Sequence, residues 1–308
     1  MAEDTGTKET EMFQDTLNIL KNRYYFTPMG KEVVLKLEKE EREEAEVFLP
    51  DDIKALSQWE FDFEPSGEKC RFIVTEHDSF VQAQQLLKQE KYNMFDDEKG
   101  VLVLSMANPF NPGGGVKLGT TAQQEELCRR SSLMDSIDNK KAEKYYNYNR
   151  GNGDSDLDTN KMNLGSDALI ISPHVEVFKD EDGKLMPETF TVSVMTCGAP
   201  MITEGLGDLS QEEYETMLYR RICGMLRVAA QCGYRYLVLG AFGCGAFGND
   251  AHLVSDLFYK AFNELDLNGC TPADFFRRVD FAVRCNDDAK YNFREFERRF
   301  SDFHRENQ

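Results

Sequence analysis

The apolar run VLVLSMA (Val101–Ala107) leads directly into NPFNPGGGVKLGTTAQQEELCRR (Asn108–Arg130). A continuous apolar run of that length reads as a buried strand. Beyond the loop, Leu127, Leu133, Met134 and Ile137 recur at helical spacing. The stretch therefore dictates strand, loop, helix. Asn108–Pro109 and Asn111–Pro112 each place a residue before proline, which is pushed out of the helical region. Gly113, Gly114 and Gly115 then leave the backbone bare, so its N–H groups can approach a ligand closely. A helix N-terminus follows, where anions are favoured. Taken singly, the glycines read as a mobile loop and Gln-Glu-Glu as a solvated helix start. Together, after a buried strand, they read as an anion site to which Glu125 and Glu126 bring two carboxylates.

The 308 residues allow one large domain or two small ones. With 41% hydrophobic and 30% charged residues, a full core is available. A net charge of −19 repels nucleic acid and anionic membranes at long range, so no direct sequence-specific nucleic-acid binding is expected. Backbone N–H groups can still take an anionic small ligand. No apolar run is long enough for a membrane span. The start, MAEDTGTKETEMF, is acidic and polar, unlike a secretory signal or an Arg-rich transit peptide. The eight cysteines form no C-x-x-C pair, and the four histidines are far apart, so no metal site is expected. Reduced thiols in a cytoplasmic (or nuclear) compartment are the simpler reading.

Residues 1–9 read as a disordered tail, followed by a helix over Glu11–Arg23 with Phe13, Leu17, Ile19 and Leu20 as its apolar members. Short strands are expected at Val33–Leu37 and Phe48–Leu49, around an acidic stretch. Arg71–Thr75 reads as a strand, with His77-Asp78-Ser79 turning into a helix over Phe80–Gln89. Tyr145–Gly165, rich in Gly, Asn and Asp, reads as a surface loop. Ala168–Ser172 and Thr191–Thr196 read as strands, with a hairpin-like turn at Asp180–Lys184. A capping box at Ser210–Glu213 starts a long helix. Tyr236–Leu239 is a strand, Asn249 or Asp250 caps a helix to about Phe262, and Asp280–Arg284 is a last strand. Asp287–Phe303 reads as a helical tail with a solvated, mixed-charge face. This alternation predicts a mostly parallel or mixed sheet with helices on both faces. Ligands then sit at the carboxyl ends of the strands, where both glycine loops share one rim.

The second loop, GAFGCGAFGND (Gly240–Asp250), contains G-x-G-x-x-G between a strand and a helix. As a dinucleotide fingerprint the match is weak, because the motif is late and the acid of the next strand, Asp280, lies at its start. What survives is a loop and helix N-terminus suited to a diphosphate. Phe247 is placed either against a sugar or base, or as a core anchor of the loop.

Three glycines, roughly six to eight residues and then Gln-Glu-Glu form the signature of poly(ADP-ribose) glycohydrolases of the macrodomain superfamily. The chain resembles the microbial type of that family over roughly residues 11 to 285. The likeness is carried by DTLNILKNRYY (Asp15–Tyr25), PGGG (Pro112–Gly115), QEELCRRSSL (Gln124–Leu133), SPHVEVFKD (Ser172–Asp180) and GAFGCGAFGND (Gly240–Asp250). The resemblance implies a three-layer α/β/α macrodomain core with a central mixed sheet over 67–308, and an N-terminal, mainly helical extension over 1–66 packed on it. It implies hydrolysis of the ribose–ribose bond of poly(ADP-ribose), with ADP-ribose as product and no cofactor. The partner is the polymer or an ADP-ribosylated protein. Glu126 matches the catalytic glutamate, and Glu125 the one that positions the terminal ribose. Gly113, Gly114 and Gly115 line that ribose, with Gln124 beside them and Asn111, or Asn108, near its hydroxyls. Gly243, Cys244, Gly245, Ala246, Phe247 and Gly248 form the diphosphate loop, and Asp78 reads the adenine amino group. Gln123 is an extra glutamine; a shift of one residue would move the glutamine role onto it. The alternatives are a macrodomain that only binds ADP-ribose, one that removes it from another acceptor, and a nicotinamide-dependent dehydrogenase resting on Gly243–Gly248 alone.

Overall fold

In the computed structural model, which describes residues 7–58, 67–90, 99–152, 164–285 and 290–306, helix α1 (Lys8–Asn22) starts on Thr7, whose hydroxyl accepts the Thr10 N–H. The helix thus begins within the expected tail, of which residues 1–6 lie outside the described residues. Phe13, Ile19 and Leu20 are buried as expected, but Leu17 is exposed and Thr16 takes a buried place. Strands β1 (Tyr24–Phe26) and β2 (Glu32–Val34) form a separate antiparallel hairpin. Next come α2 (Lys39–Arg42), β3 (Glu46–Phe48) and α3 (Pro50–Ala55), then β4 (Arg71–Thr75), α4 (Ser79–Gln89) and β5 (Val101–Met106). Helices α5 (Gln123–Arg130), α6 (Leu133–Ile137) and α7 (Glu143–Asn149) lead to β6 (Leu169–Lys179) and β7 (Leu185–Cys197). The chain closes with α8 (Gln211–Gln231), β8 (Tyr236–Leu239), α9 (Ala251–Glu264), α10 (Pro272–Phe275), β9 (Arg278–Ala282) and α11 (Lys290–Glu306).

Seven strands form one mixed sheet in the order β3-β6-β7-β5-β8-β9-β4. The pairs from β7 to β4 are parallel, and β3, β6 and β7 are antiparallel. Successive side chains of a strand point to opposite faces, and this alternation builds the layers. Leu102, Leu104, Leu237 and Leu239 pack with α8 to α11, whereas Val101, Val103, Tyr236 and Val238 pack with α1 and α4 to α7. The result is three layers, α/β/α. Because β5 is covered on both sides, its sequence is apolar but for buried Ser105. The short strand β3 joins the N-terminal segment to the sheet by pairing with β6.

Two expectations are corrected. Within Tyr145–Gly165, α7 reaches Asn149, and Tyr145 and Tyr146 are buried with their rings edge to face at 4.9 Å. The polar composition concealed two aromatic residues facing the core; residues 153–163 of that stretch lie outside the described residues. In α11, Phe296 and Phe300 are one turn apart and fully buried, and Phe300 lies 4.3 Å from the Phe281 ring. Charged residues occupy its outer face, so the helix is amphipathic and part of the core. Among the described residues no helix is long and apolar enough to cross a membrane.

Candidate active site

Parallel pairing of β7, β5, β8, β9 and β4 places their carboxyl ends on one edge. Both glycine loops leave from that edge, after β5 and after β8. A cleft of about 270 Å³ opens there. Its lining includes Glu126 and Gln123 of α5, Asp78 and Arg130 beside α4, Gly245 of the second loop and Arg284 beyond β9. A larger hollow of about 740 Å³ lies at the opposite edge, near the start of β5, and contains neither loop.

The loop after β5 is folded by its own side chains. Asn108 Oδ1 accepts the N–H groups of Phe110 and Asn111 at 2.9 and 3.0 Å, and Asn111 O accepts that of Gly114 at 2.9 Å. Gly113 and Gly114 have φ of +67° and +57°, the left-handed region that glycine adopts without strain. Asn111 itself is exposed and does not line the cleft.

The two glutamates divide. Glu125 is buried, and its Oε1 accepts the Gly115 N–H and the Thr120 hydroxyl, both at 3.0 Å. The N–H of Gly115, expected to face a ribose, is thus bound to Glu125. Glu126 lines the cleft with its side chain 21% exposed, and its Oε1 accepts from Arg129 Nη2 at 2.8 Å. The glutamines divide as well. Gln124 is buried and its Oε1 accepts the Asn108 N–H at 2.9 Å, outside the cleft lining. Gln123 is the one at the cleft: it accepts from Met106 N at 2.9 Å and donates to Leu104 O at 2.7 Å and Ser79 Oγ at 3.1 Å. It pins the start of α5 to the end of β5.

Asp78 caps α4, accepting the Val81 N–H at 2.8 Å with Oδ1. Its Oδ2 is paired with Arg130 and lies 3.5 Å from Arg284. The carboxylate lines the cleft with both oxygens already engaged.

In the second loop, Gly243 and Gly248 again have positive φ. A Cβ on Gly243 would stand 2.5 Å from that of Ala199. Buried Asn249 holds the loop closed: Nδ2 donates to Gly243 O at 3.0 Å and Pro200 O at 2.8 Å, while Oδ1 accepts from the Tyr214 hydroxyl at 2.6 Å. Helix capping falls to Asp250. The N–H groups of Gly245, Ala246 and Phe247 have no acceptor among the described residues, and Gly245 lines the cleft. Burial pushes the Cys244 thiol well up, away from the reactive thiolate form. Phe247 packs partly against the core. Asn292 of α11 donates to Cys244 O at 3.2 Å, tying the last helix to this loop. Among the described residues no group of three or more His, Cys, Asp or Glu could hold a metal ion.

Sequence reasoning missed Arg129, Thr120, Asn249 and Asn292, whose partners are distant or lie across a turn. For Thr120, Arg129 and Asn249 the only signal was their position inside the two motifs, and for Asn292, on the last helix, there was none.

A seven-stranded mixed sheet between helix layers, with two glycine loops and the carboxyls of Glu126 and Asp78 in the cleft at the carboxyl ends of its strands, defines a macrodomain-like α/β/α protein. Its loops suit a phosphorylated sugar. The family described as "Microbial-type PARG, catalytic domain" matches residues 13–180. The crystal structure of poly(ADP-ribose) glycohydrolase from Thermomonospora curvata is similar at 31% identity, covering 94% of this chain and 98% of that one, with a TM-score of 0.81. The enzyme from Deinococcus radiodurans, in complex with ADP-ribose, is similar at 28% identity over 88% of this chain and 99% of that one, with a TM-score of 0.72. No match is found among curated proteins. The chain belongs to the microbial-type poly(ADP-ribose) glycohydrolase family.

Proposed function

We propose that the chain hydrolyses the ribose–ribose glycosidic bond of poly(ADP-ribose), releasing ADP-ribose, with Glu126 as the acid and base. The observation that carries this reading is the division of the pair: Glu126 faces the cleft while Glu125 is turned into the loop. Glu126 gives its proton to the leaving ribose oxygen as the terminal ribose becomes oxocarbenium-like. Its carboxylate then takes a proton from the attacking water, the acid-then-base sequence of glycoside hydrolysis. Glu125 acts on the ribose through the loop it shapes. The free N–H groups of Gly245, Ala246 and Phe247 take the diphosphate.

The substrate is the polymer, free or on an ADP-ribosylated protein, with no sequence-specific contact to nucleic acid. The catalytic unit is 67–308, and the N-terminal extension packs on it and adds the edge strand β3 to its sheet. Eight free cysteines support a cytoplasmic setting. Family membership and the ADP-ribose held by the Deinococcus relative support the ligand class. Incubation with poly(ADP-ribose), reading out free ADP-ribose, tests the activity. Absence of ADP-ribose, with ADP-ribose binding intact, would reduce the protein to a binding module.

A further inference from the structure

We propose that Arg129 is the positioning residue of Glu126, an inference that rests on the acid–base reading above. Arg129 lies one turn beyond Glu126 on α5, and its side chain is fully buried. Its Nη2 donates to Glu126 Oε1 at 2.8 Å and to the carbonyl of Thr120 at 2.6 Å. The Thr120 hydroxyl donates to Glu125 at 3.0 Å, so Thr120 and Arg129 join both glutamates to the glycine loop. The backbone of Arg129 is held from behind by α1: the Thr16 hydroxyl donates to Arg129 O, and buried Lys179 donates to Thr16 Oγ1 at 2.8 Å.

Stability alone is a poor reason for this arrangement. The Nε and Nη1 of Arg129 are buried with no partner among the described residues. A buried ion pair is often replaceable by apolar residues at no loss of stability. The geometry instead gives the guanidinium two tasks at the reacting group. It fixes Oε1 of Glu126, which leaves Oε2 to carry the proton toward the cleft. It also stabilises the carboxylate that remains once that proton has moved to the leaving oxygen, because the buried guanidinium is a charge already fixed in place.

The test compares wild type, Arg129→Met, Arg129→Lys and Glu126→Gln in steady-state turnover of poly(ADP-ribose), ADP-ribose affinity and Tm. Arg129→Met should lose about 10²-fold in kcat, as expected when transition-state stabilisation alone is removed, with ADP-ribose Kd changed less than about threefold. Arg129→Lys should regain about tenfold over Met, because the charge returns without the fork geometry. Wild-type kcat in Arg129→Met, or equal losses in kcat and affinity with no rescue by Lys, would overturn the proposal. If Arg129→Met does not fold, Arg129→Gln replaces it, keeping a donor for Thr120 O without the charge. A deeper loss of kcat in Gln than in Lys then supports the role, and equal behaviour of the two refutes it. A fully active Glu126→Gln would sink the acid–base reading itself, whereas an inactive Glu126→Gln beside a fully active Arg129→Met sinks only Arg129.

Discussion

A Cβ on Gly114 would lie 2.5 Å from Oε1 of Glu125, so the middle glycine of the loop and the first carboxylate of the pair are fitted to each other. The glycine is needed twice over there, since its φ is +57°. The bare backbone admits the loop's own carboxylate before it admits any ligand.

Gly114→Ala should therefore both destabilise and disable. An L-residue in this conformation costs roughly 1–2 kcal/mol, and Glu125 must also move. Tm should fall by several degrees, at about 2–4 °C per kcal/mol for a domain of this size or somewhat smaller. ADP-ribose Kd should rise at least about tenfold. Unchanged affinity in a folded Gly114→Ala would remove this loop from the site.

The glutamates should separate in kinetics. Glu126→Gln keeps size and hydrogen bonding but cannot donate and recover a proton, so turnover should fall on the order of 10²–10⁴-fold, with ADP-ribose binding kept. Glu125→Gln weakens a charge-assisted acceptor of two donors, a loss of about 1.5–3 kcal/mol at most, and should lower binding and turnover together. Titration with ADP-ribose and turnover on the polymer decide this. A dead Glu125→Gln with intact binding would exchange the two roles.

Asn249→Ala should open the second loop. It removes the bonds to Gly243 O, Pro200 O and the Tyr214 hydroxyl, and each buried group left unpaired costs about 1–3 kcal/mol. ADP-ribose binding should weaken by more than about tenfold, while Tyr214→Phe, which loses one bond, should show a smaller effect in the same calorimetric titration. Equal affinities in all three proteins would mean that the latch does not shape the ligand site.

Alkaline pH should loosen the hairpin region. The Tyr25 hydroxyl donates to Met186 O at 2.8 Å, and its pKa is raised to about 12, first by burial and then by the charge of Glu176. Below the ordinary tyrosine value both states keep the proton. Above it the unfolded chain loses its proton first, so the folded state holds more protons and stability falls as pH rises toward about 12. Tm measured from pH 9 upward should decline, and Tyr25→Phe should reduce that slope. An unchanged slope in Tyr25→Phe would assign the decline to other groups.

The main architecture was legible from periodicity. Unbroken apolar runs marked β5 and β8, a capping box marked the start of α8, and the glycine loops marked the functional edge. Local rules sufficed there because burial on both faces writes itself into sequence. They failed at α7 and α11, where Tyr145, Tyr146, Phe296 and Phe300 sit among polar neighbours and only one stripe of each helix is buried.

For the site, sequence by itself determined which residues are delivered to the carboxyl edge: two glycine loops and a Glu pair at a helix start. Adjacent residues on a helix point about 100° apart, so Glu125 and Glu126 had to diverge, but nothing local says which one faces the cleft. Only the tertiary structure decided that Glu125 turns into the loop toward Gly115 and Thr120, that Glu126 turns to the cleft beside Arg129, and that Gln123 rather than Gln124 meets the cleft. Those choices are made by partners set by packing: Thr120 across the loop, Thr16 on α1 and Asn108 at the end of β5.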